Sequence, residues 1–137
     1  EVRNYKGVRF IDDSKATNTS SVIAAVEAFK SGPLALIAGG KDKGFDFSPL
    51  GKAIIDGCDY LILIGEAADR LEKSVLQFGT LPIFHASDLE EAVNLGWEKV
   101  KESGGTVLLS PACSSFDMFR NAEERGKLFA EYALKIR

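Results

Sequence analysis

The segment Val8-Arg9-Phe10-Ile11, followed by Asp12-Asp13-Ser14-Lys15-Ala16-Thr17-Asn18, largely defines the fold of this chain. The first four residues form an apolar, strand-like run. Beyond the polar run, apolar residues recur at the spacing of one helix face, at Val22, Ala25, Val26 and Phe29. The polar run therefore forms the turn that connects a strand to a helix. Ligands of open α/β sheets collect at such turns, where the free amides of the helix N-terminus favour anions.

The rest of the chain repeats this strand-then-helix pattern. Further strands are predicted at 34–38, 60–64, 81–85 and 106–109. Helices are predicted at 19–29, from 48 onward, at 66–77, from 87 to about 101, and at 116–136 with a break near Gly126. The alternation predicts one α/β domain, a Rossmann-like three-layer α/β/α sandwich with a mainly parallel sheet. The segment 2–5 can pair with 8–11 as an antiparallel edge strand.

Several helix starts carry capping signals. Asn18, Thr19 and Ser20 are all good capping residues for the first helix. Ser48 is predicted as an N-cap, with Pro49 at the first helical position. The run Ser87-Asp88-Leu89-Glu90 is predicted as a capping box. These signals place the polar residues of each turn beside the following helix.

Composition limits the class of protein. The 137 residues are 45% hydrophobic and 27% charged, which is typical of a globular domain. The net charge of −3 gives no indication of a nucleic-acid-binding surface. No apolar run is long enough to span a bilayer, and no secretory signal is visible. Cys58 and Cys113 have no metal-ligand spacing, and we expect a reduced, cytoplasmic protein with no metal site in this chain.

Two further polar motifs follow predicted strands. The run Gly39-Gly40-Lys41-Asp42-Lys43-Gly44 is not a Walker A loop, because the later Gly51-Lys52 is too distant and is followed by Ala53. Its glycines allow close approach of the backbone to a ligand, and Lys43 can pair with a carboxylate. The run 110–117 can be a simple helix cap at Ser114 or Ser115. A serine nucleophile is disfavoured because no G-x-S-x-G elbow is present. We read His85, the only histidine, as structural.

Together these motifs resemble the C-terminal domain of the Mur ligases. The resemblance rests on the run 12–18, on Gly39-Gly40-Lys41-Asp42-Lys43, and on Ser110-Pro111-Ala112-Cys113-Ser114-Ser115-Phe116-Asp117, in the order of the family. Within the family, the third run resembles the enzymes that add D-glutamate to UDP-N-acetylmuramoyl-L-alanine. The resemblance implies a longer three-domain enzyme that uses ATP and Mg²⁺, forms an acyl phosphate and takes part in peptidoglycan biosynthesis. Residues 1–137 would be its C-terminal domain, a monomer with no membrane partner.

The resemblance also implies roles for individual residues. The expected nucleotide-binding residues are Asp13 and Lys15, with Asn18 as a further candidate. The expected D-glutamate-binding residues are Thr17, Lys43, Ser115 and Phe116, with Ala122 as a further candidate. Ala122 departs from the family, which often has phenylalanine there, so its contact would be a backbone one or the pocket would be more open. The resemblance implies no catalytic residue in this domain alone and places the Mg²⁺ sites outside the chain.

Three other interpretations remain. One is another Mur-type or folylpolyglutamate-type ligase, although the run 110–117 favours D-glutamate and no Asp-Asn-Pro-Arg run marks a diaminopimelate-adding enzyme. A second is a free-standing Rossmann-like module for a nucleotide or small anion, although no G-x-G-x-x-G fingerprint is present. The third is a purely structural interaction domain, which leaves three polar motifs at strand ends unexplained.

Overall fold

The computed structural model describes residues 1–115 and 118–137. Over these residues the chain forms six strands and five helices. The strands are β1 (Arg3–Tyr5), β2 (Val8–Asp12), β3 (Leu34–Gly39), β4 (Tyr60–Ile64), β5 (Ile83–His85) and β6 (Gly105–Ala112). The helices are α1 (Thr19–Phe29), α2 (Ser48–Gly57), α3 (Ala68–Leu76), α4 (Leu89–Val100) and α5 (Ala122–Lys135).

The six strands form one sheet in the order β1-β2-β6-β3-β4-β5. β1 pairs antiparallel with β2, and every other pairing is parallel. The predicted α/β class, the mainly parallel sheet and the antiparallel edge strand are therefore confirmed. The last strand, β6, lies between β2 and β3. This insertion brings the carboxyl ends of β2, β6 and β3 side by side.

Two apolar clusters lie on opposite faces of the sheet. Side chains alternate along each strand, so in β3 Leu34 and Leu36 face one cluster while Ala35 and Ile37 face the other. The first cluster contains the buried faces of α1, α2 and α3, and the second contains those of α4 and α5. The domain thus has the predicted three layers. In the part of the chain that is described, no helix has both the length and the apolar character needed to cross a membrane.

β6 is longer than predicted and contains a proline in the middle of the sheet. Ile37 pairs with Leu109, but Gly39 pairs with Ala112, so β6 has one more residue than β3 over this stretch. Such a bulge accommodates Pro111, which has no N–H to give to the ladder. The bulge also ends with Ala112 in the left-handed region, at φ 67°. The strand therefore bends where its sequence enters the third motif.

Several predicted helix starts are wrong by a few residues. Ser48 is the first residue of α2 and not its N-cap, because the Asp46 carboxylate accepts the Ser48 N–H at 3.0 Å. The capping box of α4 is shifted by one residue: Asp88 is the N-cap and accepts the Glu91 N–H at 2.8 Å. By contrast, Asn18 caps α1 as predicted.

The final helix also differs from the prediction. It begins at Ala122, and neither Ser114 nor Ser115 caps it, because Asn121 accepts the Glu124 N–H at 2.8 Å and defines the start. Gly126 does not break it. A Cβ at Gly126 would lie 2.5 Å from both Asp12 Oδ2 and Ser14 Oγ, so the glycine allows α5 to approach the polar turn after β2.

Candidate functional site

Three loops meet at the carboxyl ends of β2, β3 and β6. We call them loop A (13–18), loop B (40–47) and loop C (113–121); loop C includes Phe116 and Asp117, which lie outside the described residues. They contain the three motifs that the sequence singled out. Because the sheet order is β2-β6-β3, loop C lies between the other two. This is the crevice in which open α/β sheets bind their ligands.

Loop A is held in place by its own backbone and by β6. The Asp13 N–H donates to Leu109 O at 2.8 Å, and Asp13 Oδ2 accepts the Ser110 hydroxyl at 2.8 Å. Asp12 Oδ1 accepts the Ser14 N–H at 2.9 Å. The predicted nucleotide residues Asp13 and Lys15 line a cavity of about 180 Å³ together with Asp12 and Ser14. Lys15 is exposed, so its ammonium can reach an anion in that cavity.

The end of loop A leads directly into α1. Asn18 is the N-cap: its side-chain oxygen accepts the Ser21 N–H at 2.9 Å and the Ser20 hydroxyl at 3.0 Å. The contact that the structure gives Asn18 is therefore a helix cap. Thr17, expected at the D-glutamate site, is half-buried next to this cap. The position of Thr17 is thus determined by the start of α1.

Two glycines, the last residue of β3 and the first of loop B, cannot be replaced by another residue without strain. Gly39 and Gly40 have φ of 125° and 138°, and a Cβ on them would lie 1.9 Å from Ile64 O and 2.5 Å from Ser114 O. The sequence interpretation invoked these glycines for approach to a ligand. In the structure they allow close approach to β4 and to loop C instead. The Lys41 N–H then donates to Ser114 O at 3.0 Å, which joins loops B and C.

An ion pair holds loop B against α3. Asp42 accepts two hydrogen bonds from Arg70, at 2.7 Å from Nε and 2.8 Å from Nη2. The side-chain hydrogen bond from Arg70, followed by the Gly44 N–H, lowers the pKa of Asp42 to about 2. The Arg70 guanidinium also lies 4.2 Å from the centre of the Phe47 ring. The exposed Lys43 thus follows a fixed residue. The sequence interpretation did not identify this pair, since 28 residues separate its partners.

Loop C is joined to loop A by a buried arginine. Arg125 is 0% exposed; its Nη1 donates to Cys113 O at 3.0 Å and its Nη2 donates to Ser14 O at 2.6 Å. The Ala112 N–H donates to Ala16 O at 2.9 Å and adds a second connection. The sequence interpretation missed Arg125, because it lies in the charged run Glu123-Glu124-Arg125, which resembles a solvated helix face. The clue was the neighbouring glycine, which allows α5 to approach loop A.

The remaining predicted substrate residues lie on or beside loop C. Ser115 is 2% exposed, and its carbonyl accepts the Phe119 N–H at 2.7 Å. Ala122 is half-buried at the first position of α5. Phe116 lies outside the described residues. Backbone hydrogen bonds thus link all three loops that carry the predicted residues, whereas their binding roles stay predictions.

The described surface offers a second, larger cavity that does not suit an anion. It measures about 400 Å³ and lies along α4. Four of its lining residues are carboxylates, namely Asp88, Glu90, Glu91 and Glu98. Like charges repel, so a phosphate or an amino-acid carboxylate is disfavoured there. Lys15, Lys41 and Lys43, by contrast, are all exposed on loops A and B. The three-loop crevice is therefore the candidate site for an anionic ligand.

Comparison with known proteins identifies the family of the chain. Residues 1–113 match the family described as Mur ligase, glutamate ligase domain. The chain belongs to the Mur ligase family. The matched residues include loops A and B in full, and Ser115, Phe116 and Ala122 lie beyond them.

Three curated relatives of this Mur ligase domain carry the same name. It is 50% identical over 128 residues to the UDP-N-acetylmuramoylalanine--D-glutamate ligase of Syntrophotalea carbinolica. It is 51% identical to the enzyme of that name from Pelobacter propionicus and 44% identical to that of Caldanaerobacter subterraneus subsp. tengcongensis. These alignments cover 93%, 93% and 99% of the chain. The chain spans only 28–30% of the length of these relatives.

Two solved structures share the fold of this chain. The Mur ligase domain superposes on Mycobacterium tuberculosis folylpolyglutamate synthase complexed with ADP with a TM-score of 0.61 and 16% identity. A second structure of that synthase, complexed with ADP and AMPPCP, gives a TM-score of 0.57. Each superposition covers 83% of this chain and 28% of the synthase. At this identity the likeness shows a common architecture.

Proposed function

We propose that this chain is the C-terminal domain of an ATP-dependent ligase that adds D-glutamate to UDP-N-acetylmuramoyl-L-alanine. The observation that carries the proposal is the meeting of the three family motifs in one crevice, in a chain about half identical to ligases of that name. In the proposed reaction, ATP phosphorylates the carboxylate of the UDP-sugar substrate. The amine of D-glutamate then attacks the acyl phosphate and releases phosphate. This makes the whole protein an ADP-forming ligase of peptidoglycan biosynthesis.

Loops B and C, together with Thr17 at the end of loop A and Ala122 at the start of α5, would bind the amino acid. Lys43 would pair with a carboxylate of D-glutamate, and Thr17 and Ser115 would donate hydrogen bonds to it. Phe116 would line the pocket, and Ala122 would contribute its backbone N–H. The support is that loop B is fixed by the Asp42–Arg70 pair and joined to loop C through Lys41 and Ser114. A loop that is already fixed loses less conformational entropy when the ligand binds.

Loop A would meet the nucleotide. Asp13 and Lys15 line the cavity of about 180 Å³, and Asn18 begins the helix beside it. The Lys15 ammonium suits a phosphate as a mobile point charge. Asp12 and Asp13 already accept hydrogen bonds from the Ser14 N–H and the Ser110 hydroxyl. As the family resemblance implies, the Mg²⁺ sites, the UDP-sugar pocket and the P-loop would lie in the rest of the three-domain enzyme.

This division of labour has consequences for the isolated domain. The chain would bind D-glutamate and ATP as half of a site that domain closure completes, so alone it would not catalyse ligation. We also infer a monomer in the cytoplasm, where the two buried cysteines, which form no disulfide among the described residues, would stay reduced.

The proposal is tested by NMR titration of the domain with D-glutamate, with L-glutamate and ATP as comparisons. We expect D-glutamate to shift the resonances of Thr17, Lys43 and Ser115 more strongly than L-glutamate does. We expect ATP to shift Asp13 and Lys15. Equal responses to the two enantiomers would contradict the assignment to D-glutamate. A response to ATP alone would favour a nucleotide-binding module.

Two lysine variants make the test specific. Lys43→Met should weaken D-glutamate binding at least tenfold, because it removes the charge that pairs with the substrate carboxylate. Lys41→Met is the matched control: it removes an exposed lysine from the same loop but keeps the backbone bond to Ser114. If the isolated domain responds to neither amino acid, the same variants are assayed for D-glutamate-dependent phosphate release in the full-length enzyme. Equal losses in the two variants would contradict the role of Lys43.

A further inference from the structure

A second group of reactive side chains lies between α3 and β5, and none of its members belongs to loops A, B or C. It consists of Asp69, Glu72 and His85, and their metal-binding atoms all lie within 4.8 Å of one another. Asp69 and Glu72 are three residues apart on α3, so they share one face of the helix. His85 is the last residue of β5, and its Nε2 lies 2.6 Å from Glu72 Oε1. Two elements therefore supply the three groups.

The fold determines this convergence. Residues two apart in a strand share a face, so His85 lies on the same side of the sheet as Ile83. Ile83 packs against the cluster to which Leu71 and Val75 of α3 contribute. β5 thus turns its histidine toward α3, and α3 buries its apolar side while turning Asp69 and Glu72 outward. The sequence interpretation treated His85 as structural because of its apolar neighbours, and it expected no metal site in this chain. The two carboxylates near His85 lie 13 and 16 residues away in the sequence.

We propose that Asp69, Glu72 and His85 form a binding site for a first-row divalent transition metal, with Zn²⁺ as the best-suited ion. One imidazole nitrogen and two carboxylate oxygens are a donor set that such ions prefer, whereas Mg²⁺ prefers oxygen ligands alone. Zn²⁺ binds nitrogen and oxygen at about 2.0–2.2 Å, so ligand atoms must approach one another to roughly 3–4 Å. The three atoms now lie within 4.8 Å of one another, so they would have to approach by about 1–2 Å at most.

Charge and exposure agree with a metal. Two carboxylates balance the charge of a divalent cation. The side chains of His85 and Glu72 are 44% and 33% exposed, so an ion can enter from solvent and keep water in its remaining positions. Bound there, the ion would replace the proton shared by His85 and Glu72. The site shares no residue with the proposed amino-acid and nucleotide sites, so it does not depend on the proposed function.

The bound ion would connect an edge strand to a helix. Among the described strands, β5 pairs with β4 alone, and it has only three residues. A metal bound by both α3 and His85 would hold the edge strand β5 against α3. Anything that binds the folded state and not the unfolded state stabilises the fold. We therefore expect Zn²⁺ to raise the melting temperature of the chain, and to do so only when all three ligands are present.

The test is calorimetric titration of the 137-residue chain with Zn²⁺ at pH 7, followed by NMR of the His85 ring. We expect saturable binding of one ion per chain and a shift of the His85 ring signals, which are easy to assign because the chain has one histidine. His85→Ala, Glu72→Gln and Asp69→Asn should each weaken binding at least tenfold and abolish the rise in melting temperature. Asp56→Asn, which changes an exposed carboxylate on α2, is the matched control and should bind normally.

Two results of the Zn²⁺ titrations would overturn the proposal. One is a His85→Ala variant that binds Zn²⁺ with unchanged affinity, which would assign the ion to other groups. The other is the lack of saturable binding at millimolar Zn²⁺. Titration with Co²⁺ tests whether a cysteine binds the ion instead, because a thiolate ligand gives an intense charge-transfer absorption that nitrogen and oxygen ligands do not give. Such a band would also contradict the site. Circular dichroism confirms that each variant is folded, which we expect since the three side chains are on the surface.

Discussion

At the scale of single residues, Arg125 connects loop A, which carries the proposed nucleotide residues and Thr17, to loop C of the proposed amino-acid site. Its guanidinium is fully buried and bonds the carbonyls of Ser14 in loop A and Cys113 in loop C. A planar group with several donors can bridge two carbonyls at once, which the ammonium of lysine does less well. Arg125 therefore fixes the spacing between loops A and C.

This role predicts a large loss of stability on substitution. Hydrogen bonds to charged groups contribute about 1.5–3 kcal/mol each, and a carbonyl left buried without a donor costs more. Arg125→Met should lower the free energy of unfolding by about 3 kcal/mol or more, and Arg125→Lys by about 2 kcal/mol, as measured by urea denaturation. Arg120→Lys, on an 87% exposed side chain, is the control and should change it by less than about 0.5 kcal/mol. A fully stable Arg125→Lys would show that the bridge is dispensable.

The same residue shows the limits of what sequence could predict about the site. Gly39, Gly40, Lys43 and the polar run of loop A were recognisable as site candidates because they follow apolar strands. Arg125 was not, because its local sequence is that of a surface helix and its partners lie 12 and 111 residues away. Contacts of that kind arise from the packing of elements, which no local pattern encodes.

At the scale of elements, the strands and helix bodies were predictable and their ends were less so. The bounds of α1 and β4 agree with the prediction. An apolar helical pattern and a clear N-cap define α1, and a continuous apolar run defines β4. The start of α5 was not predicted, since Ser114, Ser115 and Asn121 are all capping residue types and tertiary contacts select Asn121. The length of β6 was also missed, because a bulge accommodates the proline that suggested its end.

The attachment of loop B to α3 predicts a pH dependence of stability. The pKa of Asp42 is about 2 in the folded state, below its usual value of 3.8, chiefly because Arg70 donates to its carboxylate. A lowered folded-state pKa adds stability above the unfolded value, and that stability is lost as the pH falls from about 4 to about 2. Because Arg70 is 40% exposed, we expect only about 1 kcal/mol from the pair.

The measurement compares Asp42→Asn with the unmodified chain by urea denaturation at several pH values between 6 and 3. The variant should be about 1 kcal/mol less stable near pH 6, and the difference should shrink as the pH falls below 4. Asp56→Asn is the control, because its exposed pair with Lys52 should contribute little at any pH. A difference between Asp42→Asn and the unmodified chain that does not vary with pH would argue against this assignment.

At the scale of the whole molecule, both apolar clusters depend on the same central strands. Leu36 and Ile37 are neighbours in β3, yet they belong to opposite clusters, and β4 and β6 alternate in the same way. If these strands separate, both helical layers lose the surface on which they pack. The sequence predicted the three layers from the alternation of strands and helices. The position of β6 between β2 and β3, which assembles the crevice, depends on strand pairing over long distances.

Shared strands predict that the two faces unfold together in one transition. Trp97, the only tryptophan, is 8% exposed in the α4–α5 cluster and reports on that face by fluorescence. Cys58 lies in the opposite cluster, where burial raises its thiol pKa to about 12, so it should react with thiol reagents only after unfolding. In urea, Trp97 fluorescence and Cys58 labelling read by mass spectrometry should give the same midpoint, as small single domains usually do. Midpoints that differ clearly would mean that one helical layer detaches while the other stays on the sheet. In that case the crevice between β2, β6 and β3 would lose its shape before the whole core unfolds.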